Sequence, residues 1–176
     1  MSKCILRSYV PTDLPSLVRH ANNWNVARYL SDDFPHPYTE ADGKAFFEEK
    51  AAARPSERHW IIEVDSEAVG VIGIFFRSGI HRKNVEIGFW LGEALWGLGI
   101  MTYAIKRVVD FAFENYDVNR IYAQTFGVNV GSQRALEKNY FCLEAVLEKT
   151  LFKKGEYFDN MIYAIRREHW SASLRP

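Results

Sequence analysis

Two glycines, Gly97 and Gly99, stand between a run with strand alternation and a run with helical spacing. Val85, Ile87, Phe89 and Leu91 alternate with Glu86, Gly88 and Trp90, which is the period of a β-strand. From Met101 onward, Met101, Ile105, Val108, Val109 and Ala112 recur at helical spacing, with Lys106, Arg107 and Asp110 between them. The pattern predicts a strand, a turn over Gly92 to Gly99, and then a helix. The first amides of a helix have no acceptor inside it, and the helix dipole adds partial positive charge there. Glycines in front of such a helix let a phosphate approach the backbone. The same arrangement also joins strands to helices with no ligand involved, so a phosphate cradle and a plain structural turn both fit.

Other residues suit proton chemistry. Glu86 is placed by the alternation on the strand face opposite Val85, Ile87 and Phe89. A carboxylate there suits general-base proton removal, and equally suits an ordinary ion pair. Asn129 follows a strand end and reads as a turn residue. Ser132 opens a helix and reads as a cap. Cys4 and Cys142 are the only cysteines, and neither has a neighbour that would activate a thiol. They are expected as small hydrophobes in strands, not as nucleophiles. The histidines show no metal-ligand spacing, and no metal is expected.

The elements that must position these groups can be read in order. Lys3 to Val10 predicts a first strand, and Thr12-Asp13 starts a helix to Ala21 that Asn22-Asn23 interrupts. Val26 to Leu30 predicts a short helix. A loop with two prolines follows, and then a capping box, Thr39 to Asp42, opens a helix to Ala53 that Arg54-Pro55-Ser56 ends. His59 to Val64 and Ala68 to Phe76 form a hairpin, and Ser78 to Lys83 is a polar loop before the strand of Glu86. Beyond the helix that begins at Met101 come a strand (Asn119 to Phe126), a helix (Ser132 to Asn139) and two long strands (Cys142 to Phe152 and Tyr157 to Arg166). This order describes an α/β (α+β) domain, with a mixed sheet and helices on both faces.

At 176 residues the chain fits one domain, 1-176. Lys+Arg and Asp+Glu both number 22, which argues against a surface built for nucleic acid or acidic membranes. No apolar run reaches the roughly 18 residues of a membrane span. The N-terminus is too poor in apolar residues for a signal peptide, and two widely spaced thiols suit a reducing, cytoplasmic setting.

Two phosphate-loop patterns do not fit. No Lys-Ser or Lys-Thr pair follows a glycine, as a P-loop needs, and Thr102 stands where the dinucleotide fingerprint has its third glycine. Ala94-Leu95-Trp96-Gly97-Leu98-Gly99 does resemble the pyrophosphate loop [QR]-x-x-G-x-[GA] of the GNAT superfamily of acyl-CoA-dependent N-acyltransferases, with Ala94 in place of Gln or Arg. Glu86 to Ala104 is closer to the RimJ/RimL branch, roughly E-I-G-Y-W-L, a short gap, then W-G-x-G-x-A-T-E-A. Here Met101 takes a small-residue position and Tyr103 an acidic one. Asn22 to Phe47 resembles the helices and proline-rich loop of that branch's acceptor wall. Asn129 to Phe141 resembles N-x-x-S-x-x-x-x-E-K-x-G-F, with Tyr140 replacing the glycine. Gly155 to Asp159 and Met161 to Ala164 resemble its last hairpin and strand.

The resemblance implies a GNAT-type, mostly antiparallel sheet of about seven strands and acetyl-CoA as acyl donor. It implies that backbone amides of Trp96, Gly97, Leu98, Gly99, Ile100, Met101 and Thr102 hold the diphosphate. Phe89, Trp90 and Leu91 would pair with the pantetheine arm, and Asn129 and Ser132 would contact it. Glu86 would be the base and Ser132 the acid, with Glu156 and Asp159 as reserve bases. The Tyr that many members use as acid is absent, since Leu136 takes its position; Tyr140 is a substitute. The acceptor would be an amine on a protein N-terminus or a small molecule such as a polyamine, with a homodimer as candidate assembly. The alternative reading is a GNAT-fold protein that binds acyl-CoA without turnover.

Overall fold

The computed structural model describes residues 4–51 and 56–173. The predicted strand start at Lys3, the helix end at Ala53 and the breaker Arg54-Pro55 lie outside the described residues. Seven strands are present: β1 (Cys4–Arg7), β2 (Glu57–Val64), β3 (Glu67–Phe76), β4 (Asn84–Leu91), β5 (Arg120–Phe126), β6 (Cys142–Lys153) and β7 (Glu156–Arg166). They form one sheet in the order β1-β2-β3-β4-β5-β7-β6. β1–β2, β5–β7 and β6–β7 are antiparallel and β4–β5 is parallel, so the sheet is mixed as expected. The helices are α1 (Leu14–Ala21), α2 (Trp24–Ala27), α3 (Glu40–Ala51), α4 (Ile100–Asn115), α5 (Val130–Glu137) and α6 (Arg167–Ser173). Among the described residues no helix is long and apolar enough to cross a membrane.

The chain divides into two compact units. The first comprises residues 1–73 and 89–104. Its core gathers Leu17, Phe47, Ile61, Ala68 and Val71, with Tyr9, Leu14, Phe46 and Trp90 packed on it. Tyr9 stacks flat on Phe47 at 3.9 Å. β1 ends at Arg7, three residues before the predicted Val10. Pro11 opens a 3-10 turn, Pro11–Asp13, and the Val10 amide donates to Asp13 Oδ2 at 2.9 Å. Arg7 closes on the buried Asp13 through two 2.7 Å bonds. Burial alone would raise the Asp13 carboxyl, but Arg7 and the Val10 amide bring it below its usual range. The second helix begins at Trp24, ahead of the predicted Val26, because Asn23 Oδ1 accepts from the Asn25 amide at 2.8 Å and caps it there. The capping box before α3 is present, with Asp42 Oδ2 accepting from the Thr39 amide and Thr39 Oγ1 from the Asp42 amide.

The second unit comprises residues 74–88 and 105–176. Val85, Ile87, Ile105, Val108, Phe113, Ile121, Leu136 and Ile165 are all buried in it. The α6 helix carried no sequence prediction. Arg167 at its start donates to the carbonyls of Phe113, Tyr116 and Val118, satisfying the end of α4. Trp170 donates to Asp110 Oδ1 at 2.8 Å.

The end of α5 explains the Tyr140 departure. Phe141 donates back to the Leu136 carbonyl, and Tyr140 takes a left-handed φ of 64°. That geometry at a helix end favours glycine. A side chain there costs about 1–2 kcal/mol, and Tyr140 is largely exposed. Tyr140→Gly is therefore expected to stabilise the protein. Its greater freedom when unfolded offsets about 0.5–1 kcal/mol of the relief, leaving a net gain of about 0.5–1 kcal/mol. Thermal unfolding would then shift upward by roughly 1–4 °C; a lower melting temperature would contradict this account.

Candidate active site

The turn after β4 is built in three steps. Gly92 donates to the Val69 carbonyl at 2.9 Å, and a single 3-10 turn, Glu93–Leu95, follows. The Trp96 indole donates to the Leu91 carbonyl at 2.8 Å and staples the loop to the strand end. Glu93 accepts from the side chains of Asn23 at 2.7 Å and Asn25 at 2.8 Å, which engages its carboxylate on the α2 side. The Trp96 amide is taken by the Glu93 carbonyl at 3.0 Å. Trp96 is thus a support of the loop, which corrects its expected place among the free donors.

Beyond Trp96 the backbone opens. Gly97 has φ 78° and Gly99 φ 79°, a region L side chains rarely adopt, and a Cβ on either would project into open space. The first backbone bond returning into α4 runs from Tyr103 to the Gly99 carbonyl. The amides of Gly97, Leu98, Gly99, Ile100 and Met101 donate no hydrogen bond among the described residues. Five consecutive unpaired amides at the positive end of a helix fit a diphosphate. Upstream, Leu91 is buried, Phe89 and Trp90 are half-buried, and Trp90 packs edge-on to Phe34, which stacks on Tyr38. Burial pushes the Tyr38 phenol up to about 12, so it stays neutral near pH 7.

Glu86 lies in the second unit with partners on both sides. Arg77 and the Tyr122 hydroxyl both donate to Oε2, and Gln124 Nε2 donates to Oε1 at 3.1 Å. Arg77 also donates to the Tyr122 hydroxyl at 2.8 Å. The parallel pairing of β4 with β5 covers Asn84–Glu86 against Arg120–Tyr122. Sequence reasoning missed Arg77, Tyr122 and Gln124 as partners. The alternation of β5 put Tyr122 and Gln124 on one face, but only the register against β4 brings them to Glu86.

Asn129 and Ser132 come together at the start of α5. Asn129 is the cap, its Oδ1 accepting from the Ser132 amide at 3.2 Å. Ser132 is therefore the third helical residue, which corrects its reading as helix start or cap. The Asn129 side-chain NH2 and the half-buried Ser132 hydroxyl make no hydrogen bond among the described residues. Leu136 is fully buried and Tyr140 exposed. Asp159 Oδ1 accepts from the Lys149 amide across a β6 irregularity, a structural role for this reserve base. Glu156, the other reserve base, lies exposed at the start of β7. Cys142 opens β6 but is exposed, so it is not the packed hydrophobe expected.

Residues 3–141 match the acetyltransferase (GNAT) domain family. The chain belongs to this family and is an N-acetyltransferase. It is 35% identical over 101 residues to the "Probable N-acetyltransferase YjcK" of Bacillus subtilis (strain 168), covering 57% of this chain and 56% of that one. It is 30% identical over 105 residues to the ribosomal-protein-serine acetyltransferase of Escherichia coli (strain K12), covering 60% and 58%. Each match thus spans less than two thirds of the relative's length. The solved structure of Mycobacterium smegmatis RimJ in complex with CoA-disulfide superposes with a TM-score of 0.82 at 24% identity, covering 94% of this chain and 83% of that one. At that identity the likeness speaks to the fold alone.

Proposed function

We propose that the protein transfers an acetyl group from acetyl-CoA directly to a primary amine, on a protein N-terminus or a small molecule. The run of unpaired amides from Gly97 to Met101 carries this reading, because the two positive-φ glycines leave these donors open to a diphosphate. Bound acetyl-CoA would supply a thioester-activated acetyl group. The amides of Gly97 to Met101, with Thr102 beside them, hold its diphosphate, and the backbone of Phe89 to Leu91 orients the arm. The side-chain NH2 of Asn129 donates to that arm. Glu86 takes the amine proton at a carboxylate oxygen, and Ser132 Oγ holds the proton for the leaving sulfur. Chain-wide charge balance gives no sign of a strongly charged acceptor. The relative named as a ribosomal-protein-serine acetyltransferase supports an acceptor on a protein.

The test is a panel of N-terminal peptides, polyamines and other small amines with acetyl-CoA, read by thiol release. Turnover on at least one class is expected. Binding of acetyl-CoA with no thiol release on any amine would instead support a protein that binds the acyl donor without turnover.

A further inference from the structure

Three polar side chains of the second unit form a hydrogen-bonded chain with one direction. Register sets Glu86 opposite Tyr122, and Phe126 opposite Asn160; alternation puts Tyr122, Gln124 and Phe126 on one sheet face. Gln124 Nε2 donates to Glu86 Oε1 at 3.1 Å, and Asn160 Nδ2 donates to Gln124 Oε1 at 2.7 Å. Asn160 is 6% exposed, and its Oδ1 is buried with no partner. A carboxylate only accepts, so Gln124 must turn its NH2 to Glu86 and its carbonyl to Asn160. Asn160 must then turn its NH2 to Gln124, which leaves its own oxygen orphaned. Gln124 is exposed, so these two partners, rather than packing, set its orientation. An orphaned buried acceptor destabilises a fold, whereas an apolar residue of similar size would not. Asn160 thus holds an arrangement that stability alone does not explain.

We infer that Gln124 and Asn160 are positioning residues that fix the orientation of the Glu86 carboxylate for proton transfer. This rests on the role proposed above for Glu86. Within this unit the ionisable side chains that face the carboxylate are Arg77 and Tyr122, with Arg120 over the Tyr122 ring at 4.5 Å. Arg77 and Tyr122 occupy Oε2, and among the described residues the hydrogen bond to Oε1 comes from the amide chain.

The experiment uses the full chain carrying Asn160→Leu or Gln124→Leu. It reads thermal stability, amine kinetics across pH and the titration of the Glu86 carboxyl by carbon NMR. Asn160→Leu is expected to melt no lower than wild type. Both variants are expected to lose at least fivefold in kcat with the KM for acetyl-CoA unchanged, and to titrate Glu86 at higher pH. In a Glu86→Gln background neither variant should lose more. Full kcat in both variants, or an equal further loss in the Glu86→Gln background, overturns the inference. So does an unmoved Glu86 titration. Should Asn160→Leu fail to fold, Gln124→Leu, at an exposed position, decides. Full activity of Glu86→Gln alone removes the base reading, and the Glu86 titration still reports whether the chain acts on it.

Discussion

Glu86→Gln is expected to lower kcat/KM for the amine by roughly 10²-fold or more at pH 7, in the range for loss of a general base, while leaving the fold and CoA affinity intact. An ammonium acceptor has a pKa of about 10, so little of it is neutral at pH 7, and a positioned carboxylate can take the proton before or during attack. The loss should shrink as pH rises and free amine becomes abundant. The geometry explains why the fold survives. Glutamine can keep its carbonyl toward Arg77 and Tyr122, where Oε2 now accepts, and turn its NH2 toward Gln124. Gln124 and Asn160 can then both reverse, which again leaves a single orphan at Asn160. Arg77 is partly exposed and is resolvated without its counter-charge. Steady-state rates from pH 6 to 9 and CoA titration calorimetry check this. A variant with full activity throughout would move the base elsewhere, to Glu156 or to ordered water.

The parts of this protein legible in its sequence were those governed by local periodicity. The alternation of β4, the change of period at Met101 and the capping box at Thr39 are each local, so neighbouring residues suffice to reveal them, and α4 begins one residue earlier, at Ile100. Boundaries slipped where a side chain reached beyond its own element. Arg7 and Asp13 cut β1 short, and Asn23 pulled α2 forward by two residues. The α6 helix escaped because its anchor, Arg167, works on carbonyls some fifty residues away in sequence. The site divides the same way. The glycine turn and Glu86 were visible, being local. The partners Tyr122, Gln124 and Asn160 depend on strand register across β4, β5 and β7, and Arg77 on the approach of the β3 end to β4, which one sequence leaves open. Tyr140 is the converse case: the resemblance marked a glycine position there, and the positive φ gives the physical reason.

Gly99→Val is expected to weaken CoA binding at least tenfold, equivalent to about 1.4 kcal/mol. Two effects act together. A branched side chain would project into the open space beside the unpaired amides, where the diphosphate is proposed to lie. A φ of 79° is also strained for any L residue and most of all for a β-branched one, so the amides of Gly99 and Ile100 would turn away from a common target. General destabilisation would also weaken binding without bearing on the loop, so a control with the same strain elsewhere is needed. Gly155 supplies it: it sits at φ 87° in the β6–β7 turn with open space around it, and takes no part in the proposed loop. Gly155→Val should lose comparable stability and keep CoA affinity. Calorimetry on the two folded variants separates the causes. Equal affinities in Gly99→Val and wild type would remove the loop from the binding site. Equal weakening in both variants would attribute the effect to general destabilisation.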